Sequence, residues 1–197
     1  MHPLPQDSQL APNNPGENFP RPAPESLRDI FVRYSRPVLS FIYSMLRDRS
    51  QAEELCQETF VRALRKLDSR DPHTAPSAWI FGIAHNVVRE AVKHKYRKFR
   101  HAAPYDQLTE DIDSGAVPAD QQLLSAELGN RIHQALGKLT GDQRLVFVLK
   151  LIHKLKYEEI AYITGASTSK LKTDLHRARA EMRQNLQSYL HGGNSRI

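Results

Sequence analysis

Residues 157–179 read YEEIAYITGASTSKLKTDLHRAR, and their pattern decides the fold. Two short helical patterns meet at Gly165. Ile160, Ala161 and Ile163 give the first an apolar face, and Ala161 is small enough to let another helix approach closely. Gly165 stands where a tight turn needs a positive φ, which costs glycine little. Ser167 then caps a helix in which Leu171, Leu175, Ala178 and Met182 recur at helical spacing. This is the pattern of a helix-turn-helix, whose second helix enters the major groove of DNA.

Charge supports that reading. Lys170, Lys172, Arg177, Arg179 and Arg183 fall within fourteen residues. Phosphate contacts by such side chains give affinity that weakens with salt, while residues near the helix start reach base edges. Thr168, Ser169, Lys170 and Lys172 are expected nearest the bases, with Thr173 and His176 on the same segment and Arg177 and Arg179 toward the backbone. Asp174 is the exception. It either points off the DNA or accepts a hydrogen bond from a cytosine amine. A solvated basic face would carry the same charges, but it would not need the turn chemistry that precedes this helix.

The remaining composition narrows the class. The 197-residue chain is 40% apolar with a net charge of +6, enough for small cores and suited to a polyanionic partner. Its single cysteine, Cys56, excludes an internal disulfide and suits a reducing cytoplasm. Placed among Leu55, Thr59 and Phe60, it reads as a small buried hydrophobe. No run of about twenty apolar residues is present to span a membrane. The N-terminus has no signal-peptide pattern. His85, His94 and His101 have no matching carboxylate or cysteine set, and no phosphate loop, nucleophile elbow or zinc pattern occurs. No catalytic residue, metal or cofactor is expected, and the chain does not read as an enzyme.

Along the chain, residues 1–24 hold seven of the twelve prolines and read as a disordered tail. From 25 to 102 the signal is helical throughout. Leu27, Ile30, Phe31 and Tyr34 form one stripe, and Val38, Leu39, Ile42, Met45 and Leu46 a second. Pro37, between them, is expected to break or kink the helix. Ser50 and Glu53 predict a capping box that opens the next helix, with Leu55, Phe60, Ala63, Leu64 and Leu67 turned inward. After a polar loop at 68–76, Trp79, Ile80, Ile83, Ala84, Val87, Val88, Ala91 and Val92 predict a long helix ending in the basic run KHKYRKFR (93–100). Residues 103–120 are acidic and interrupted by proline and glycine, which predicts a flexible linker. A second helical unit follows at 121–190, with a capping box at Thr140 and Gln143, and a short flexible tail at 191–197. The expected fold is all-α: two small helical domains on an acidic linker, the second holding the helix-turn-helix.

Several motifs carry a family resemblance. QAEELCQETF (51–60), followed by VRAL (61–64), resembles the signature helix of bacterial sigma factors of the extracytoplasmic-function group. SAWIFGIAHN (77–86) is similar to that family's promoter-melting helix. LTGDQRLVF (139–147), YEEIA (157–161) and LHRAR (175–179) resemble its C-terminal domain. The resemblance covers roughly residues 25–188, with the motifs in the family's order. It implies a subunit that binds core RNA polymerase and directs it to promoter DNA, the first domain melting the minus-10 element and the second reading the minus-35 element. Glu53, Glu54, Gln57 and Glu58 would face the polymerase clamp. Trp79, Asn86, Arg89, Lys93 and Arg97 would lie toward the minus-10 element and its junction, where base flipping costs a few kcal/mol that a pocket must recover. The resemblance also implies an anti-sigma partner. At Asp174 the sequence departs from the family's usual basic residue. The rival reading is a stand-alone helix-turn-helix regulator, which has no need of a polymerase-docking helix.

Overall fold

The computed structural model describes residues 26–100 and 121–192, all of them in helices or the turns between them. The tail expected at 1–24, the linker at 103–120 and the end at 193–197 lie outside the described residues, as do the side chains of 98–100, 121–127 and 188–192. The first unit consists of α1 (Leu27–Leu46), α2 (Arg49–Lys66) and α3 (Pro76–Arg100). The second holds α4 (Gln121–Lys138), α5 (Gly141–Phe147), a π turn at Val148–Ile152, α6 (Tyr157–Thr164) and α7 (Thr168–Gly192).

Local chemistry explains most helix ends. Ser26 and Asp29 form a reciprocal capping box at the start of α1, and Thr140 and Gln143 form the expected one at α5. The box expected at Ser50 is not formed. Asp48 caps α2 instead, its carboxylate accepting the Gln51 N–H at 2.9 Å, and Glu53 pairs with Arg49. A carboxylate two residues earlier outcompetes the serine, so Ser50 lies inside the helix. Pro76 is the first helical residue of α3, a position where its missing N–H is not needed.

Pro37 does not break α1, which runs unbroken through it. The proline forgoes one bond to the Arg33 carbonyl, a cost of about 3 kcal/mol in a helix interior. Ile30 on one side and Val38, Phe41 and Ile42 on the other are all fully buried, so packing on both flanks holds the helix together. The inward face of α2 also differs from expectation. Ala52, Thr59, Phe60 and Ala63 are buried, but Leu64 is 61% exposed because it lies a third of a turn off that stripe. Phe31 and Val92, expected inward, are likewise exposed, with Phe31 set edge-on against Phe60.

The two units are packed against each other. Helix α6 lies on α3, and the π turn and α5 meet α1. The π turn closes with the His153 N–H on the Val148 carbonyl and the Leu155 N–H on the Leu149 carbonyl, both at 3.0 Å. That wide turn places the His153 ring 4.8 Å from Phe81 and 6.2 Å from Phe41, across the seam. Burial lowers the His153 pKa to about 4. Its ordinary value is about 6.5, so between these limits the unfolded chain binds the extra proton and the folded chain does not. Stability therefore falls as pH drops from about 6.5 toward 4. After discounting for partial exposure, the loss is about 2 kcal/mol. Denaturant unfolding of wild type and His153→Phe between pH 7 and 4.5 should show a shallower pH slope in the variant, and parallel slopes would contradict this assignment.

Candidate nucleic-acid interface

Helix α6 ends where glycine allows it. Gly165 has φ 71° and donates its N–H to the Ala161 carbonyl. The Ala166 N–H then bonds to the Thr164 hydroxyl, and the Lys170 N–H bonds to the Ser167 hydroxyl at 3.3 Å, so Ser167 caps α7 as its sequence position implied. Leu171, Leu175, Ala178 and Met182 are buried, which fixes the rotation of α7 about its axis. Thr168, Ser169, Lys170, Lys172, Thr173, His176, Arg177 and Arg179 all emerge exposed.

Two of these cations are engaged. Lys170 Nζ lies 2.6 Å from both the Asp142 carboxylate, at the start of α5, and that of Asp174, one turn further along α7. The hydrogen bonds to Asp142 and Asp174 hold the Lys170 pKa above its ordinary value. Asp174 is therefore folded back onto Lys170, its side chain only 14% exposed. Lys172 leans over the Tyr157 ring at 5.8 Å, and Lys150 lies over the same ring at 4.7 Å. Asp142 was not among the residues picked out from sequence. An acid in the first turn of α5 looks like dipole compensation until folding brings it beside α7.

On α3, Asn86, Arg89, Lys93 and Arg97 are exposed and recur at intervals of three or four, forming one stripe beside the exposed Tyr96. Trp79 is not part of it. It is 8% exposed and packs in the core, with the Arg70 guanidinium over its ring at 5.5 Å and a second Arg70 nitrogen donating to the Thr74 carbonyl. Trp79 thus anchors the loop before α3 and offers no open ring face. His85 is half-buried and meets the backbone of Ile163 in α6.

On α2, Glu53, Glu54 and Gln57 are exposed along one face, which Val61 and Leu64 continue as an apolar half. Glu58 behaves differently. It pairs with Arg62 at 2.7 Å, and Arg62 also holds Glu90 of α3 at 2.7 Å, so this triad braces α2 against α3. Cys56 donates weakly to the Ser35 carbonyl at 3.7 Å, and burial raises its pKa, as suits a packing residue. Among the described residues no group of histidines, cysteines and carboxylates is arranged to hold a metal ion.

Two family models match the chain: Sigma-70 region 2 over residues 30–98, and Sigma-70 region 4 over residues 129–182. RNA polymerase sigma factor YlaC of Bacillus subtilis is 32% identical over 166 residues, covering 82% of this chain and 92% of that protein. The ECF sigma factor SigW of the same organism is 32% identical over 168 residues, covering 82% and 89%. The chain belongs to the extracytoplasmic-function group of RNA polymerase sigma factors. Sigma factor RpoE, solved with the anti-sigma factor NepR from Bartonella quintana, shares the fold of this sigma factor. Its TM-score is 0.67 at 22% identity, over 81% of this chain and 96% of that one. CnrH, solved with the cytosolic domain of CnrY, aligns with TM-score 0.59 at 25% identity, covering 86% and 89%. In this sigma factor the region 2 match spans α1 to α3, and the region 4 match runs from within α4 into α7.

The Asp142–Lys170–Asp174 cluster has a measurable consequence for DNA binding. Asp142→Asn and Asp174→Asn made together remove both acids that occupy Lys170 and free the lysine for phosphate. Fluorescence anisotropy of the full chain on a duplex from its own upstream region should show several-fold tighter binding at low salt. The log–log salt slope should steepen by about 0.9, the increment for one phosphate contact. An unchanged slope would show that Lys170 does not face DNA.

Proposed function

We propose that this sigma factor binds core RNA polymerase through α2 and selects promoters with two separate readers, α3 at the minus-10 element and α7 at the minus-35 element. The observation that carries this reading is the order of the two family matches along one chain, joined to an exposed, half-acidic and half-apolar face on α2. A stand-alone regulator has no use for that face.

In this reading residues 25–102 form the polymerase-docking and melting domain and residues 121–190 the minus-35 domain. Glu53, Glu54 and Gln57 present the acidic half of the docking surface, while Val61 and Leu64 supply apolar contact. Glu58 contributes mainly by bracing α2. Asn86, Arg89, Lys93 and Arg97 follow the nucleic-acid backbone at the minus-10 junction, with Tyr96 available for stacking. Thr168, Ser169, Lys172 and Thr173 lie nearest the bases at the minus-35 element, while His176, Arg177 and Arg179 follow the backbone. Asp174 tunes Lys170 and does not itself read a base. The work is selection and opening of DNA by binding energy, with no covalent chemistry on this chain. Its place is the cytoplasm, where core polymerase and promoters are found. An anti-sigma protein is the expected inhibitor, as RpoE is solved with the anti-sigma factor NepR.

The test is reconstitution. Purified chain added to core RNA polymerase should co-purify with it and give a specific transcript from a promoter in its own genomic neighbourhood. No transcript and no co-purification would end the sigma reading. Glu54→Lys should weaken core association about tenfold, equivalent to roughly 1.4 kcal/mol. Because Glu54 is exposed, the same change should leave thermal unfolding and duplex binding unaltered. Loss of fold or of DNA binding would remove Glu54 from the docking surface.

A further inference from the structure

Helix α3 carries one acid among its cations. Glu90 is the single carboxylate in its sequence, which holds Arg89, Lys93, Lys95 and Arg97 over the same stretch. Glu90 lies four residues after Asn86, three before Lys93 and seven before Arg97, spacings that put all four on one face of the helix. The face that follows the nucleic-acid backbone in the reading above thus has a negative charge near its middle. Left bare, that carboxylate would repel the phosphates that its neighbours attract.

The neighbouring helix covers the charge. Arg62 of α2 donates from Nη1 to the Glu90 carboxylate at 2.7 Å. Its Nε donates to Glu58, one turn earlier on α2, also at 2.7 Å. Glu58 therefore aims the guanidinium, whose other edge reaches across 28 residues of sequence to α3.

Stability is not the main product of this pairing. The Glu90 side chain is 57% exposed, and ion pairs this open to solvent add little to folding, because water and salt screen them. Beside a polyanion the same pairing counts for more. Duplex DNA carries one negative charge per ~1.7 Å of its axis, so a bare carboxylate on the reading face meets several phosphates at once.

We propose that Arg62 is a positioning residue for promoter DNA: it masks Glu90, so that Asn86, Arg89, Lys93 and Arg97 present an unbroken attractive face at the minus-10 junction. The proposal rests on the reading of α3 given above. Arg62 acts through Glu90 and does not itself hold DNA. Because Glu58 orients Arg62 from α2, the helix that carries the docking face also sets the charge of the DNA-reading face.

Three full-length variants separate masking from bracing: Arg62→Gln, Glu90→Gln and the two together. Each is combined with core RNA polymerase and titrated, by fluorescence anisotropy, against a labelled promoter duplex premelted over the minus-10 element. Arg62→Gln bares Glu90 and should weaken the complex about fivefold, the size of one unit-charge contact at ~4 Å in water. The loss should shrink as salt is raised. Glu90→Gln breaks the same bridge but removes the charge, so its binding should equal or exceed that of wild type. The double variant should return to within about twofold of wild type, since the two changes share one interaction. A pure brace would behave otherwise, because either single change breaks it. Equal losses in both single variants, a double variant as weak as Arg62→Gln, or no loss in Arg62→Gln would each overturn the proposal. Should Arg62→Gln fail to fold, Glu90→Gln alone decides, and weaker binding than wild type overturns masking. A wild-type chain that does not co-purify with core polymerase would overturn the sigma reading, and this proposal with it.

Discussion

The packing of α6 against α3 is the contact on which the arrangement of the whole molecule depends. It joins two units that each have their own helices and their own exposed functional face. The aromatic ring of His153, delivered by a π turn, rests against Phe81 and Phe41, which themselves meet edge-on at 5.5 Å. Arg144 joins the same seam one turn further along α1 by bonding to the Met45 carbonyl. Neither group is placed like an ordinary core residue. The histidine is held neutral by burial, and the arginine, whose pKa burial lowers, bonds to the carbonyls of Leu136, Gly137, Leu139 and Met45.

Much of the fold was legible in the sequence because it follows local rules. Gly165 had to supply a positive φ, Ser167 and Thr140 had to cap, and the Leu171–Leu175–Ala178–Met182 stripe had to face inward. What escaped depended on competition or on distant partners. Asp48 captured the cap that Ser50 seemed placed to take, and packing on both flanks carried α1 through Pro37. Leu64 fell off the buried stripe by a fraction of a turn, and so became part of the exposed α2 face.

The site divides in the same way. The basic, exposed positions on α3 and α7 follow from helical periodicity once each buried stripe is known. Trp79 was read two ways, on the inward stripe of α3 and as a minus-10 contact, and its burial beneath Arg70 leaves the inward reading. The fate of Asp174 was equally beyond sequence. Its i to i+4 spacing from Lys170 allowed a pair, but Asp142 reaches the same lysine from 28 residues away. Contacts across the seam, such as Ser77 with Glu159 over 82 residues, have no local signal at all.

A sigma factor that reads two separated elements must change shape if its readers begin in contact, and distance measurement tests that most directly. Spin labels attached at Asp68→Cys and Gln184→Cys in a Cys56→Ala background report the separation of the two units by pulsed dipolar spectroscopy. The free chain should give one short, narrow distance distribution, and addition of core RNA polymerase should replace it with a distribution displaced by tens of ångströms. A free chain with the long distance already dominant, or a short distance unchanged in the polymerase complex, would contradict the account.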